Sequence, residues 1–351
     1  MPLKKKVLRI DELRPGMVSA GDIIYQNKIL LAKDISITKS IIDRLKQNYI
    51  VNNVDVYVEY NSEPLIVNTE TVQELQDTFN ELSSNLKDVF YKVSNLRVPE
   101  IEDIRQFTEK IQEEFSSTGI VVRNIVFYGS GNDTIYRHSI NVAAISSILG
   151  RWIGLDDKEI NLLTYSAILH DFGKVKLDKH ILAEEYNFGS EGYKIFKTHP
   201  TIGYNLVKKI PYLSNSIAYG ILMHHERMDG SGYPLGIKED KIHKFARIIA
   251  IADLFDEANS ENYYKSIAGP FEALKVLQNE SLGKLDCKYT TTFLNHIIDY
   301  YIGENVILNN NQTYKILQIN INDLTNPLLF NENGFLDLRK EKNLYIKSLV
   351  I

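Results

Sequence analysis

Cysteine is almost missing from this chain: Cys287 is alone among 351 residues. One thiol cannot build a disulfide framework or a thiolate metal cluster, so any metal would need nitrogen and oxygen ligands. A reducing compartment follows as the expectation, and Cys287 is expected to be a packed thiol. Long apolar runs are missing as well. No stretch approaches the roughly 18 consecutive apolar residues that a membrane span needs. The opening Met1-Pro-Leu-Lys-Lys-Lys has basic residues with no apolar stretch behind them, which predicts no targeting signal and a cytoplasmic protein. Positive charge is not in excess either. The formal net charge is −5, there is no basic stripe, and direct nucleic-acid binding is not expected. A phosphate-bearing ligand would have to be attracted locally, by metal ions or a few basic side chains.

What is present is an ordinary globular composition, 44% apolar and 24% charged, long enough for more than one domain. Four segments are expected. Residues 1–66 read as a small α/β module. Pro15-Gly16 signals a turn, Asp22–Tyr25 and Lys28–Leu31 are short strand candidates, and Thr38 is a candidate N-cap before Ile41, Ile42 and Leu45. Val54, Val56 and Val58 then alternate as a half-buried strand would. Residues 67–120 form a helical connector with Val72, Leu75, Phe79, Leu82, Leu86 and Phe90 at helical spacing. It either pairs with a second copy as a homodimer or packs on the domain that follows. Residues 121–302 are helical, and residues 303–351 form a β extension whose hairpin joins Asn305–Leu308 to Tyr314–Ile321.

The chemistry lies in the helical segment. His138, His170, Asp171, His199, His224, His225 and Asp253 each fall on an apolar helical stripe or at a helix end, with Gly173 expected to stop the helix that carries His170. Burying so many polar side chains is costly unless they are compensated. Neutral imidazoles mixed with carboxylates suit divalent metal ions. Seven ligands exceed the needs of one ion that keeps a position open, so two ions are expected, with Asp171 as the bridging candidate. Lys174, three residues beyond Asp171, is placed to reach a phosphate oxygen. His180, His243 and His296 are read as surface or packing residues.

These residues carry a resemblance. His170-Asp171 looks like the doublet of the HD superfamily of phosphohydrolases. His224-His-Glu-Arg-Met-Asp-Gly-Ser-Gly-Tyr-Pro234 closely resembles the signature of its HD-GYP family. Ile168–Lys174, Lys197–Pro200 and Ala246–Asp253 follow the order of that family, and the similarity covers about residues 130 to 270.

The resemblance implies an all-helical catalytic domain holding iron or manganese, with the seven residues above as ligands. It implies a cyclic di-GMP phosphodiesterase that releases the linear dinucleotide, in some members cut on to GMP, through hydroxide activated by two metals. Lys174 would contact the scissile phosphate. Gly230, Gly232, Tyr233 and Pro234 would form a loop beside the pocket that also meets signalling proteins. Asp256 and Lys265 belong to the run expected at the dinucleotide, in which Asn262 and Lys265 replace arginines. Thr134 stands where members with a third metal carry glutamate, which favours two ions. Two alternatives remain open: a receptor that binds the dinucleotide without cleaving it, and a hydrolase for another nucleotide such as a hybrid cyclic dinucleotide.

Overall fold

The structure, a computed structural model, describes residues 4–25, 28–31, 53–58, 72–94, 135–183, 185, 187–211, 213–260 and 271–350, with single positions between 33 and 46 and between 108 and 130. Thr38, Thr134, Asn262 and Lys265, singled out above, lie outside the described residues.

The chain is mainly helical, with small sheets formed by its first and last segments. It divides into two compact units. One comprises residues 1–75, 116–124 and 294–351, and the other residues 76–115 and 125–293. The first and last segments of the chain thus fall in the same unit. Sequence periodicity carries no information about which distant segments share a core.

In the first unit, β1 (Lys4–Arg9) runs antiparallel to β4 (Asn53–Val58), with Val7 opposite Asp55. The expected alternation places Val54 and Val56 on the buried face. β2 (Ile23–Tyr25) and β3 (Lys28–Leu31) form the anticipated hairpin. The C-terminal sheet is five-stranded, in the order β8-β7-β6-β5-β9. It contains β5 (Asn305–Leu308), β6 (Thr313–Asn320), β7 (Asp323–Asn331), β8 (Gly334–Asp337) and β9 (Ile346–Leu349).

Two of these strands escaped the sequence reading. Four of the six residues of β1 are lysine or arginine, so it lacks the usual strand composition. β7 contains Pro327, which argues against an inner strand. The ladder between β6 and β7 shifts register on both sides of Gln318, which pairs with Leu328, and these irregularities accommodate the proline.

In the second unit, α1 (Val72–Ser94) is the expected connector helix. Its stripe of Phe79, Leu82, Leu86 and Phe90 is fully buried. Phe90 sits edge-on to Tyr136 at 5.7 Å and to Phe172 at 4.9 Å, and the Arg137 guanidinium lies 4.1 Å over the Phe79 ring. Within this unit the helix packs on the residues that surround His170, the second of the two expectations for it.

α2 (Tyr136–Trp152) is buried from Arg137 to Gly150 and packs against α3 (Asp157–Ile168) and α8 (Lys244–Asn259). Asp156 caps α3 through the Glu159 amide at 2.8 Å. Between α3 and α8 lie α4 (Lys179–Leu182), α5 (Glu191–Phe196), α6 (His199–Val207) and α7 (Asn215–Met223), and α8 is followed by α9 (Glu272–Glu280). Ser190 caps α5 through the Tyr193 amide at 2.9 Å. Cys287 opens α10 (Cys287–Ile297) and is exposed, not the packed thiol expected. Among the described residues no helix is long and apolar enough to cross a membrane.

Candidate metal centre

Three of the candidate ligands stand at helix ends, where backbone carbonyls lack helical partners. His170 follows α3, and its Nδ1 is 2.7 Å from the Ala167 carbonyl. His199 Nδ1 is 2.9 Å from the carbonyl of Phe196, the last residue of α5. His224 follows α7, and its Nδ1 is 2.7 Å from the Ile221 carbonyl. A carbonyl oxygen only accepts, so each Nδ1 carries the proton and each Nε2 keeps a lone pair. One local device, repeated three times, therefore aims three unprotonated nitrogens inward.

The nitrogens converge. His199 and His224 bring their Nε2 atoms to 3.4 Å, and His138 and His170 bring theirs to 3.3 Å. Asp171 lies between the two pairs. Its Oδ1 is 3.2 Å from His199 Nε2 and 3.8 Å from His224 Nε2. Its Oδ2 is 3.4 Å from His170 Nε2 and 3.7 Å from His138 Nε2. Asp253 Oδ1 closes the second pair at 3.0 Å from His138 Nε2, and its Oδ2 is 3.9 Å from His225 Nδ1.

Two ligand groups result, Asp171 with His199, His224 and His225, and Asp171 with His138 and His170. All seven side chains predicted as ligands stand around one centre. The donor set fits divalent cations. The buried Nε2 of His225 has no hydrogen-bond partner among the described residues, and neither buried oxygen of Asp171 has a well-aligned one. Facing lone pairs at such distances are unfavourable without a cation or proton between them.

Electrostatics agree with that demand. Burial pulls the His170 imidazole below its ordinary pKa. Burial, reinforced by neighbouring histidines, pulls His224 and His225 well below theirs. Burial also acts against the charged form of His138, but hydrogen bonds to Asp253 and Asp256 outweigh it and raise this group well above the usual value. Burial likewise works against ionised Asp171 and is overcome by Lys174 and His170, so the carboxyl sits well below the usual range. Burial raises Glu257 well above its ordinary value, helped by Asp253 and Glu185.

The other predicted residues divide. Lys174 is buried, with Nζ 2.7 Å from Asp171 Oδ2 and 2.8 Å from Glu185 Oε1. Asp256, expected at the substrate, stands behind His138 instead. It is fully buried, with Oδ2 2.8 Å from His138 Nδ1 and Oδ1 accepting from Asn141 Nδ2 at 2.6 Å. Both oxygens are taken, so its geometry is that of an orienting carboxylate.

Tyr233 stacks on His225 with centroids 4.6 Å apart and an interplanar angle of 22°. Gly232 passes so close to His225 and Arg227 that an added Cβ would come within 2.4 Å of their backbone atoms. Pro234 follows Tyr233 through a cis bond. The loop is tied down by buried Glu226, whose carboxylate accepts from the Leu235 and Ile237 amides at 2.6 and 3.1 Å. Gly173 does not adopt the left-handed conformation of a helix stop. It lies in the 3-10 turn Phe172–Lys176, where an added Cβ would be 2.0 Å from the His199 carbonyl oxygen. His180 is exposed, His243 caps α8 through the Phe245 amide, and His296 is buried 3.7 Å from Asp22.

Asn141, Glu185 and Glu226 were missed. The role of Asn141 depends on Asp256, 115 positions away, and those of Glu185 and Glu226 on loop partners 9 to 11 positions away, and only the adjacency of Glu226 to His224-His225 offered a signal.

Over residues 121–288 the chain matches the HD domain family. A protein of Thermotoga maritima named cyclic di-GMP phosphodiesterase is 35% identical over 154 residues, 43% of this chain and 41% of that protein. The 3'3'-cGAMP-specific phosphodiesterase 1 of Vibrio cholerae is 27% identical over 190 residues, 54% of this chain and 43% of that protein. The chain thus spans less than half the length of these two relatives. Bd1817, an HDG"Y"P protein from Bdellovibrio bacteriovorus, shares the fold with a TM-score of 0.54 at 20% identity, covering 84% of this chain and 100% of that one. Residues 121–288, the part that matches the HD domain family, contain the His170-Asp171 doublet and the loop ending in Gly232-Tyr233-Pro234.

Proposed function

We propose that the chain is a metal-dependent phosphodiesterase that opens a cyclic dinucleotide, cyclic di-GMP foremost, to the linear dinucleotide and then to GMP. The observation that carries this reading is the division of Asp171: Oδ1 faces the His199–His224 pair and Oδ2 the His138–His170 pair. Two divalent cations, iron or manganese, would supply water activation and neutralisation of phosphate charge at such a site.

The chain's own residues hold that chemistry in place. Backbone carbonyls fix the tautomers of His170, His199 and His224, and Asp256 with Asn141 fixes His138. His225 and Asp253 complete the ligand set. Lys174, kept cationic by Asp171 and Glu185, places a positive charge where the non-bridging oxygens of a phosphodiester would gather negative charge. The loop around Tyr233, held by Glu226, walls one side of the centre and offers a surface to a signalling protein.

The test is product analysis. Protein purified without oxygen and supplied with iron or manganese is mixed with cyclic di-GMP, and the products are separated by chromatography. Linear dinucleotide or GMP, lost on chelation and in His170→Ala, supports the reading. A metal-replete protein that binds cyclic di-GMP and leaves it intact would sink it in favour of a receptor. A second reading, cleavage of a hybrid cyclic dinucleotide, is favoured by the similarity to the Vibrio cholerae protein and by Asn262 in place of an arginine. Parallel assays with 3'3'-cGAMP separate the two.

A further inference from the structure

A row of aromatic rings leads away from the metal centre, and it begins on a ligand. Tyr233 stacks on His225. The Lys197 ammonium sits 5.6 Å from the centroid of Tyr233 and 5.3 Å from that of Tyr193, between the two phenol rings. Tyr193 lies parallel to Phe196, with centroids 6.3 Å apart and planes 12° apart. Its other neighbour, Phe188, meets it edge-on at 5.1 Å and 81°. Phe188 is 70% exposed, whereas Phe196 is buried. The row therefore has a buried root at the cluster and an open ring at its far end.

A single exposed phenylalanine is unremarkable on a protein surface. Three features set this one apart. The near-perpendicular contact with Tyr193 holds the Phe188 ring in place, while 70% of the residue stays exposed to another ring. Ser190 caps α5 and so holds Tyr193 in place. Lys197 also differs from Lys174: Lys174 is held by two carboxylates, whereas Lys197 has no carboxylate within ion-pair distance among the described residues. An ammonium held only by π-faces keeps its hydrogen-bonding capacity for an incoming anion.

We propose that Phe188, Tyr193 and Lys197 form the distal subsite for the cyclic dinucleotide, with Phe188 stacking a purine and Lys197 meeting the phosphate that is not being cleaved. This rests on the phosphodiesterase reading. A cyclic dinucleotide carries two phosphates and two purines, and only one phosphate can occupy the cluster. The other half of the ring must extend outward, where flat faces and a cation suit it. Phe188 then acts as a specificity-determining residue and takes no part in the bond-breaking step.

The experiment uses the full chain loaded with manganese and compares wild type, Phe188→Ala, Phe188→Trp and Lys197→Met. Phe188→Ala is expected to raise KM for cyclic di-GMP about tenfold, with kcat held within about twofold. Phe188→Trp restores KM. Inorganic phosphate, which reaches the cluster alone, inhibits wild type and Phe188→Ala equally. Lys197→Met raises KM in the same direction as Phe188→Ala. An unchanged KM in Phe188→Ala overturns the subsite. So does an equal loss in kcat and phosphate inhibition, which would mark a structural role. A wild-type protein that cleaves no cyclic dinucleotide overturns the parent reading instead, so the two failures are distinguishable.

Discussion

Lys174 Nζ lies 2.7 Å from Oδ2 of Asp171, the same carboxylate oxygen that faces the His138–His170 pair. A cation at that pair and the ammonium of Lys174 therefore share one oxygen, and Glu185 draws the ammonium the other way from 2.8 Å. Glu185→Gln removes the counter-pull and one negative charge near the cluster, so manganese affinity should fall about tenfold. Lys174→Met should raise that affinity and lower kcat about a hundredfold, the scale of one lost transition-state donor. Metal titration of the chelated protein reads the first effect, and steady-state kinetics read the second. Affinities that move in the same direction in both variants would refute the arrangement.

Metal stoichiometry tests the division of Asp171 directly. Wild type should hold about two ions per chain by elemental analysis, as expected when one carboxylate serves two ligand groups. His138→Ala and His199→Ala, taken from opposite groups, should each leave about one. Asp171→Asn should empty both, and it leaves Lys174 buried with only Glu185 opposite it, so a fall in stability should accompany it. Two ions retained in His138→Ala would place that residue outside the centre.

The candidate ligands were legible in the sequence because each falls on an apolar helical stripe, as His138 and Asp253 do, or at a helix end, as His170, His199 and His224 do. Residues that act on the ligands leave no such mark. Asp256 lies one helical turn from Asn259 and in register with other polar residues, and only its contact with His138, 118 positions away, reveals its role. The same holds for Asn141, whose partner Asp256 is 115 positions away. In the fold, the hairpins were readable from turn residues and alternation. β7 was not, because Pro327 is the residue least suited to a strand and becomes tolerable only where the ladder with β6 is irregular.

His243 gives a pH dependence outside the metal centre. Its side chain accepts the Phe245 amide at 3.2 Å as the N-cap of α8. Burial, then Lys244 and Arg247, hold its pKa below the ordinary imidazole value. Protonation removes the accepting lone pair and sets a cation at a helix N-terminus. Because the folded pKa is depressed, this contribution is present above about pH 6.5 and is lost as pH falls through the folded value. Relative to His243→Asn, which caps at any pH, wild type should lose about 0.5 kcal/mol between pH 7.5 and 5.5, a figure already reduced for solvent screening. Urea unfolding of both proteins at the two pH values measures it, and equal pH slopes would show that the imidazole is not the cap.

Gly173 supplies the strictest steric test. It follows the His170-Asp171 doublet by one residue, and α6 passes directly over it. A Cβ there would stand 2.0 Å from the His199 carbonyl oxygen and 2.8 Å from the Gly203 amide nitrogen. Both are backbone atoms, so no rotamer change relieves the clash and α6 must move away with His199 at its start. Gly173→Ala should therefore cost about 1–3 kcal/mol, the usual scale of an overpacked core. The displacement acts on one ligand group alone. The group of His199, His224 and His225 should lose affinity, while that of His138 and His170 keeps its ion. Thermal unfolding of the metal-free variant reads the packing cost, and elemental analysis of the loaded variant should find about one ion per chain in place of two. Unfolding at the wild-type temperature with both ions retained would mean that α6 does not depend on the close approach seen here.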